Sequence, residues 1–180
     1  WLNNYFYPKL KDKDLLVNQA WCSENTTGSN SRRTTCKNNL SSVQKPVGLL
    51  SLDEYNLANK NLNFLKNFQD CWMLTPYNIS ASWYVNHGST ISHVSLSTPF
   101  GIRPVINIKP SIDIISGDGT RIFPFIYEDR SSTGNLNDHS NVGEYVTYAG
   151  RNYRVVETSS QGTKLILDGY YDSNNDGMID

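Results

Sequence analysis

The sequence predicts an α+β domain in which short helices pack on a twisted antiparallel sheet with long polar loops, followed by a C-terminal β-meander. Three observations carry this prediction. Apolar residues near the start recur at helical spacing, short apolar runs in the centre are separated by Pro, Gly, Asn and Ser, and the last part shows alternating strand patterns. With 180 residues, the chain is long enough to bury a substantial core.

The first residues predict two short helices. Leu2, Phe6 and Leu10 recur at helical spacing in the opening stretch, and Pro8 together with the charged residues at 11–14 interrupts this pattern. Because proline breaks or kinks a helix, we expect short helical pieces around this interruption instead of one long helix.

A buried strand followed by a capped helix is predicted next. The apolar run at 47–50 is typical of a buried strand, and Ser51 with Glu54 forms the Ser-x-x-Glu pattern of a capping box. In a capping box each side chain accepts a hydrogen bond from the backbone N–H of the other residue. The helix that begins there is expected to bury the face formed by Leu52, Tyr55 and Ala58.

Four apolar runs in the centre of the chain predict a meander of short strands. In the second and the fourth run, side chains alternate between apolar and polar, which is typical of half-buried strands. Pro104 is expected at a strand start or edge, because proline cannot donate to a strand ladder. The runs are CWMLTP at 71–76, SWYVNHG at 82–88, TISHVSL at 90–96 and IRPVINIKP at 102–110.

The domain organisation follows from a change in composition. Residues 1–128 are predicted to form the first module, and the polar stretch 129–141 is predicted to be a linker because it can bury little apolar surface. Residues 142–180 contain three alternating strands with turns at 149–152 and 159–162, which predicts a β-meander. Since two or three strands are marginally stable alone, the meander either packs on the first module or begins a following repeat.

Composition and charge argue against a nucleic-acid partner and against a membrane-spanning segment. Charged residues make up only 18% of the chain, so its polarity comes from 21 Asn, 20 Ser and 11 Tyr. The formal net charge is -1, without the basic excess that binding to a phosphate backbone requires, and we expect no nucleic-acid partner. The sequence lacks a run of roughly 18 to 20 apolar residues, so it predicts no membrane-spanning segment.

The cysteines indicate an oxidising compartment. Cys22 and Cys36 enclose a polar loop that burial alone could hardly hold, and a disulfide between them would contribute about 3 kcal/mol. Two alternatives stay open. Cys36 could pair with Cys71 instead, or all three thiols could be reduced in a cytosolic protein.

Three stretches carry a resemblance to a known family: VGLLSLDEYNLA at 47–58, FGIRPVINIKPSIDIISGDGTRIFPF at 100–125 and VGEYVTYAGRNYRVVE at 142–157. With the Trp-containing run 71–76 and the aromatic run 83–88, the chain resembles the repeated modules of bacterial surface and secreted proteins that have a C-type lectin-like fold. In such modules the pattern at 142–157 comes first, whereas here it comes last. The chain is therefore either one domain with an unfamiliar strand order or parts of two successive modules.

The resemblance implies an extracellular or cell-surface location and a non-enzymatic, adhesin-like function. A module of this kind would recognise a glycan, or a surface protein of a host or neighbouring cell, through its loops. The alternative is a structural spacer repeat that carries a distal binding domain. The formylglycine-generating enzymes share this fold, but their cysteine motifs do not occur here, so their activity is not implied.

The best ligand-binding candidate is the group Trp83, Tyr84, Asn86 and His87. Aromatic rings stack on the apolar face of a sugar while an amide bonds its hydroxyls. The Glu-Pro-Asn, Gln-Pro-Asp and Trp-Asn-Asp triplets of sugar-binding C-type lectins do not occur here, so sugar binding through calcium is not implied. Strand alternation places Trp83 and Tyr84 on opposite faces, and we expect at least one of them to belong to the core.

The last residues predict a structural calcium site. Asp172, Asn174, Asp176 and Gly177 occupy positions one, three, five and six of an EF-hand-like loop, and Asp180 occupies position nine. The carboxylate expected at position twelve would fall after Asp180. The alternative is a hairpin turn rich in Asn, Asp and Gly, which needs no metal.

A catalytic role is not predicted. Cys71 and His87 could form a nucleophile and base pair, but no orienting group or oxyanion-binding motif accompanies them. His87 and His93 could approach each other across a turn, although a metal site would need a third donor.

Overall fold

The structure is a computed structural model and confirms a mixed α+β chain built mostly from antiparallel strands with a few short helices. The description below covers residues 1–22, 42–62, 65, 70–88, 90–110, 112–128 and 136–169. Within these residues no helix is long and apolar enough to cross a membrane.

The opening residues form short helical pieces, as predicted. A π-helical turn, Leu2–Phe6, continues into helix α1, Tyr7–Lys9, and a 3-10 turn follows at Lys13–Leu15. Pro8 lies in the first turn of α1 and has no backbone N–H to continue the hydrogen bonding of the preceding helical turn. Phe6 and Leu10 are buried, so this region covers part of the core.

A five-stranded antiparallel sheet forms the centre of the fold. Its strands, in spatial order, are β10 (Tyr145–Tyr148), β11 (Arg151–Ser159), β12 (Gly162–Leu167), β7 (Val105–Ile108) and β3 (Val47–Gly48). Because β12 pairs with β7, the C-terminal meander and the first segment share one sheet.

The remaining strands form three smaller sheets. Strands β4, β5 and β6 form an antiparallel meander, which confirms three of the four central runs, whereas the fourth run became β7 of the large sheet. The small-sheet strands are β4 (Cys71–Pro76), β5 (Ala81–Val85) and β6 (Ile91–Ser95). Two antiparallel pairs join β1 (Gln19–Cys22) with β2 (Ser42–Lys45) and β8 (Asp113–Ser116) with β9 (Ile126–Glu128).

The prediction that β7 is half-buried is wrong, because all four of its residues are buried. Ile106 and Ile108 belong to one hydrophobic cluster and Val105 belongs to another, on the opposite face of the sheet. When a sheet is covered on both faces, every residue of a central strand is buried, even where a polar residue interrupts the apolar sequence. The first cluster includes Phe6, Leu10, Leu15 and Leu136, and the second includes Trp21, Leu52, Tyr55 and Ala58.

Helix α2 (Leu52–Leu62) begins with the predicted capping box. Ser51 N donates to Glu54 Oε2 at 2.8 Å, and Glu54 N donates to Ser51 Oγ at 3.3 Å. Glu54 also forms a buried ion pair with Lys164 of β12, whose Nζ lies 3.2 Å from Glu157 Oε2. One glutamate therefore caps α2 and fixes the helix to the large sheet.

The stretch predicted to be a linker, 129–141, contains a helix in its described part. Helix α3 (Leu136–His139) begins at a residue whose backbone N–H donates a hydrogen bond to Ile112 O at 2.6 Å. Leu136 is fully buried in the first cluster. A single leucine in a polar stretch thus contributes to the core, which composition averaged over the segment did not reveal.

Candidate functional site

The small sheet brings three aromatic side chains to one face. Trp72 pairs with Tyr84 in the register of β4 and β5, so these two side chains share a face. Phe100 reaches the same place because Gly101 bridges to β4 in parallel and its carbonyl accepts the N–H of Trp72 at 3.0 Å. We call Trp72, Tyr84 and Phe100 the aromatic platform.

Phe100 lies at the centre of the aromatic platform. Its ring centroid is 5.1 Å from Trp72 and 4.6 Å from Tyr84, with interplanar angles of 47° and 38°. These tilted pairs have favourable aromatic geometry. All three side chains are partly exposed. The platform therefore combines a fixed arrangement of rings with ring surface that remains accessible.

Asn86 lies on the same side of the small sheet as Tyr84. It extends the pairing of β5 with β6, because Asn86 N donates to Thr90 O at 2.9 Å and Thr90 N donates to Asn86 Oδ1 at 2.8 Å. Since side chains alternate along a strand, residues 84 and 86 point to the same face. The Nδ2 amide group, with its two N–H donors, has no acceptor among the described residues, and thus adds hydrogen-bonding capacity beside the platform.

Trp83 belongs to a second aromatic cluster on the opposite face. It is the cross-strand partner of His93, and His93 stacks on Tyr77 with 3.7 Å between ring centroids and 3° between planes. Trp83 meets both rings nearly at right angles, at 5.4 Å and 5.6 Å, and also packs against the second hydrophobic cluster. The predicted separation of Trp83 from Tyr84 is confirmed, and Trp83 serves packing.

The predicted four-residue group therefore does not form one surface. Tyr84 and Asn86 stay together, whereas Trp83 lies on the other face of the sheet. His87 is exposed, and its backbone N–H donates to Asp70 Oδ1 at 2.8 Å. That bond fixes the turn that follows β5.

Two members of the platform were missed at the sequence level. Trp72 stands next to Cys71 in a strand predicted from its sequence, and the pairing of β4 with β5 decides that it meets Tyr84. Phe100 lies outside every strand and reaches the platform through the bridge of Gly101 to Cys71. The register of the β4–β5 hairpin could have revealed Trp72. Phe100 depends on a long-range contact, which no local sequence pattern contains.

Cys71 is a buried free thiol on the core side of the small sheet. Burial raises the pKa of the thiol, and the positive charge of Arg103 opposes this effect only in part. A thiol that stays protonated is a poor nucleophile, so this environment does not favour Cys71 as the nucleophile of a pair with His87. Because Cys71 is free, the alternative disulfide from Cys36 to Cys71 is not formed in this structure.

A pocket lies behind the aromatic platform. Its empty volume is about 320 Å³, part of which is open to solvent, and its lining is mostly apolar. Trp72, a member of the platform, also lines this pocket, and Arg103 contributes its guanidinium group to the lining. That group is held in place because Nε and Nη2 donate to Leu167 O at 3.2 and 2.9 Å. Arg103 thereby ties the segment that follows Phe100 and Gly101 to β12.

Two predicted sites lie outside the described residues. Residues 23–41, which include Cys36, are not described, so the disulfide from Cys22 to Cys36 stays a prediction. The same holds for the calcium site, whose ligands would be Asp172, Asn174, Asp176 and Asp180. Among the residues that the structure does describe, no group of three or more His, Cys, Asp or Glu side chains could hold a metal ion.

No protein-family model, no curated protein and no solved structure matches this chain. The resemblance to C-type lectin-like modules therefore continues to rest on the sequence motifs. The strand pairing and burial described above show an α+β chain with mostly antiparallel strands.

Proposed function

We propose that this chain is a non-enzymatic binding module of the adhesin type, exported to the surface of a bacterial cell, that recognises a glycan or a surface protein. One observation carries the proposal. The aromatic platform of Trp72, Tyr84 and Phe100 combines accessible ring surface with the amide of Asn86 on one face of the small sheet. The bacterial origin rests on the motif resemblance, and the export rests on that resemblance together with the predicted disulfide.

The chemistry of the platform favours a glycan over a flat protein surface. Sugar rings present C–H groups on one face and hydroxyls around the rim, so aromatic rings and an adjacent amide complement both. Ser92 adds a hydroxyl, because it is the cross-strand partner of Tyr84 in β6. The platform thus offers stacking and hydrogen bonding within two neighbouring strands.

The platform is also held rigidly. The hydrogen bond from Trp72 N to Gly101 O and the one from Gly101 N to Asp70 O, 3.1 Å long, fix the backbone of the segment that carries Phe100. Arg103 anchors the same segment to Leu167. A binding surface that is already ordered loses little conformational freedom when ligand binds, which supports recognition by this face.

A structural spacer is the second candidate function. It is favoured by the shared sheet, in which β12 joins the C-terminal meander to β7 in one continuous sheet. A spacer needs such continuity but needs no ligand. The two functions therefore differ in whether the folded protein binds anything through the platform.

The test is binding to a mixed array of glycans and extracellular-matrix proteins, with calcium and again with a chelator. We expect a reproducible glycan signal that Tyr84→Ala abolishes and that Tyr5→Ala, which removes a 63% exposed tyrosine elsewhere, leaves unchanged. Loss under chelation would support the calcium site at 172–180. A blank array with folded protein would overturn the binding function in favour of the spacer.

A further inference from the structure

The hairpin of β8 and β9 exposes apolar side chains away from the aromatic platform. We call Ile115, Ile122, Phe123 and Ile126 the hydrophobic tip. Their exposed fractions are 52%, 81%, 64% and 46%. Single exposed apolar residues are ordinary on a protein surface, but several on one hairpin mark an interaction surface.

The loop that carries the hydrophobic tip is held by its own hydrogen bonds. Asp118 N donates to Phe123 O at 3.0 Å, Thr120 N donates to Asp118 Oδ1 at 3.0 Å, and Phe123 N donates to Thr120 Oγ1 at 3.1 Å. Gly117 has φ +93°, and a Cβ there would lie 2.2 Å from Pro124 O, so the turn requires glycine. The apolar side chains are therefore held outward by a fixed turn.

The same loop is anchored to the large sheet. Tyr145 N donates to Gly119 O at 2.8 Å, and Phe125 N donates to Tyr145 O at 2.8 Å. Phe125 itself is buried in the first hydrophobic cluster. The tip consequently projects from a rigid base, and docking there would order few additional groups.

We propose that the hydrophobic tip is the contact surface for a second copy of this chain, in a two-fold symmetric dimer. A two-fold interface uses the same patch on both copies, so the patch must complement itself. Asp118 and Arg121 are both exposed and lie on the loop beside Ile122 and Phe123. Two-fold symmetry can bring the Arg121 of one copy opposite the Asp118 of the other around a shared apolar centre.

The charge distribution favours a second copy over a lipid surface. The formal charges of Asp118 and Arg121 cancel, so this loop offers no basic excess to an anionic membrane, whereas a second copy offers each of the two charges an opposite partner. The net charge of -1 also gives little repulsion between copies. The dimer carries two aromatic platforms, although its formation does not depend on what they bind.

The test is the mass of the full chain in sedimentation equilibrium across a wide concentration series. We expect the average mass to rise from the monomer toward twice that value. Phe123→Asp should raise the dimer dissociation constant at least about tenfold, because it places a charge at the apolar centre. Ile79→Asp is the matched control, since Ile79 is 89% exposed outside this hairpin, and it should leave the constant unchanged.

The two charges are tested separately. Asp118→Asn keeps the side-chain oxygen that accepts the Thr120 N–H, and Arg121→Gln keeps a long polar side chain, so neither should disturb the turn. Each should weaken the dimer about two- to fivefold, as expected for an exposed ion pair.

Three outcomes would overturn the proposal. The first is a monomer at every concentration, and the second is a dimer that Phe123→Asp does not weaken. The third is a monomer that cosediments with vesicles of phosphatidylcholine and phosphatidylserine and loses this binding in Phe123→Asp, which would assign the tip to a lipid surface.

Discussion

The large sheet and the small sheet use aromatic residues in opposite ways. In the large sheet Tyr148 and Tyr153 are fully buried, and the hydroxyl of Tyr148 donates to the backbone carbonyls of Lys11 and Asp12 at 2.9 and 3.0 Å. In the small sheet Trp72 and Tyr84 keep part of their rings accessible. The difference indicates that the large sheet carries stability, while one face of the small sheet is available for recognition.

The two sheets also differ in what covers them. Strand β7 is enclosed by hydrophobic clusters on both faces, whereas β4 alternates between buried residues such as Cys71 and Met73 and partly exposed ones such as Trp72. A substitution in the large sheet should therefore lower stability. A substitution on the platform should change binding more than stability.

The largest expected effect on stability is in the large sheet. Leu165→Ala removes a fully buried side chain from β12 and should lower the free energy of unfolding by about 3 kcal/mol through lost transfer energy and a cavity. Leu96→Ala, at a 57% exposed position after β6, should cost less than about 0.5 kcal/mol. Urea denaturation measures both. Equal losses in the two variants would remove the contrast between the sheets.

The next effect concerns the ion pair between α2 and the large sheet. Among the described residues, Glu54→Gln leaves the buried Lys164 with the half-exposed Glu157 as its remaining carboxylate partner, and it should cost about 2 kcal/mol. Glutamine still serves a capping box, so the helix start should persist. The double variant Glu54→Gln with Lys164→Met removes both charges and should recover most of the loss in urea denaturation. No recovery would contradict the assigned cause.

A pH effect sharpens the comparison between buried and accessible tyrosines. Burial raises the pKa of Tyr127 and of Tyr148 above the usual tyrosine value. Because the unfolded chain loses these protons first, stability should fall as pH rises from about 9 to about 11. Tyr148→Phe should show a shallower fall in the urea midpoint over this range. A fall as steep as in the parent chain would contradict this cause.

The smallest expected effect on stability is at the platform. Tyr84→Ala removes a partly exposed ring that contacts Phe100 and should cost only about 1 kcal/mol, comparable to one aromatic pair. The same urea series measures it. A loss as large as that of Leu165→Ala would mean that the platform is part of the core.

Local patterns predicted the local features of this fold. The capping box of Ser51 and Glu54 and the hairpins of the C-terminal meander depend on residues a few positions apart, and each formed as expected. The place of β7 depends on β12, more than fifty residues later, and therefore could not be derived from its own alternation. Leu136 was missed for the same reason, since its burial depends on contacts distant in sequence.

The candidate site was half predictable. Alternation correctly separated Trp83 from Tyr84 and left Tyr84 with Asn86. The partners of Tyr84 depend on which strand lies beside β5 and on the bridge from Gly101 to Cys71, and neither is encoded in a short motif. A candidate site assembled from three segments can be found only once the tertiary structure is known.

The most direct test of the account compares binding by Tyr84→Ala and Leu165→Ala under conditions in which both variants are folded. The measurement is the affinity of each for a glycan that the parent chain binds. We expect Tyr84→Ala to lose at least about tenfold in affinity. Leu165→Ala should bind like the parent chain despite its lower stability. Parent-like binding by Tyr84→Ala would contradict the claim that the platform carries recognition.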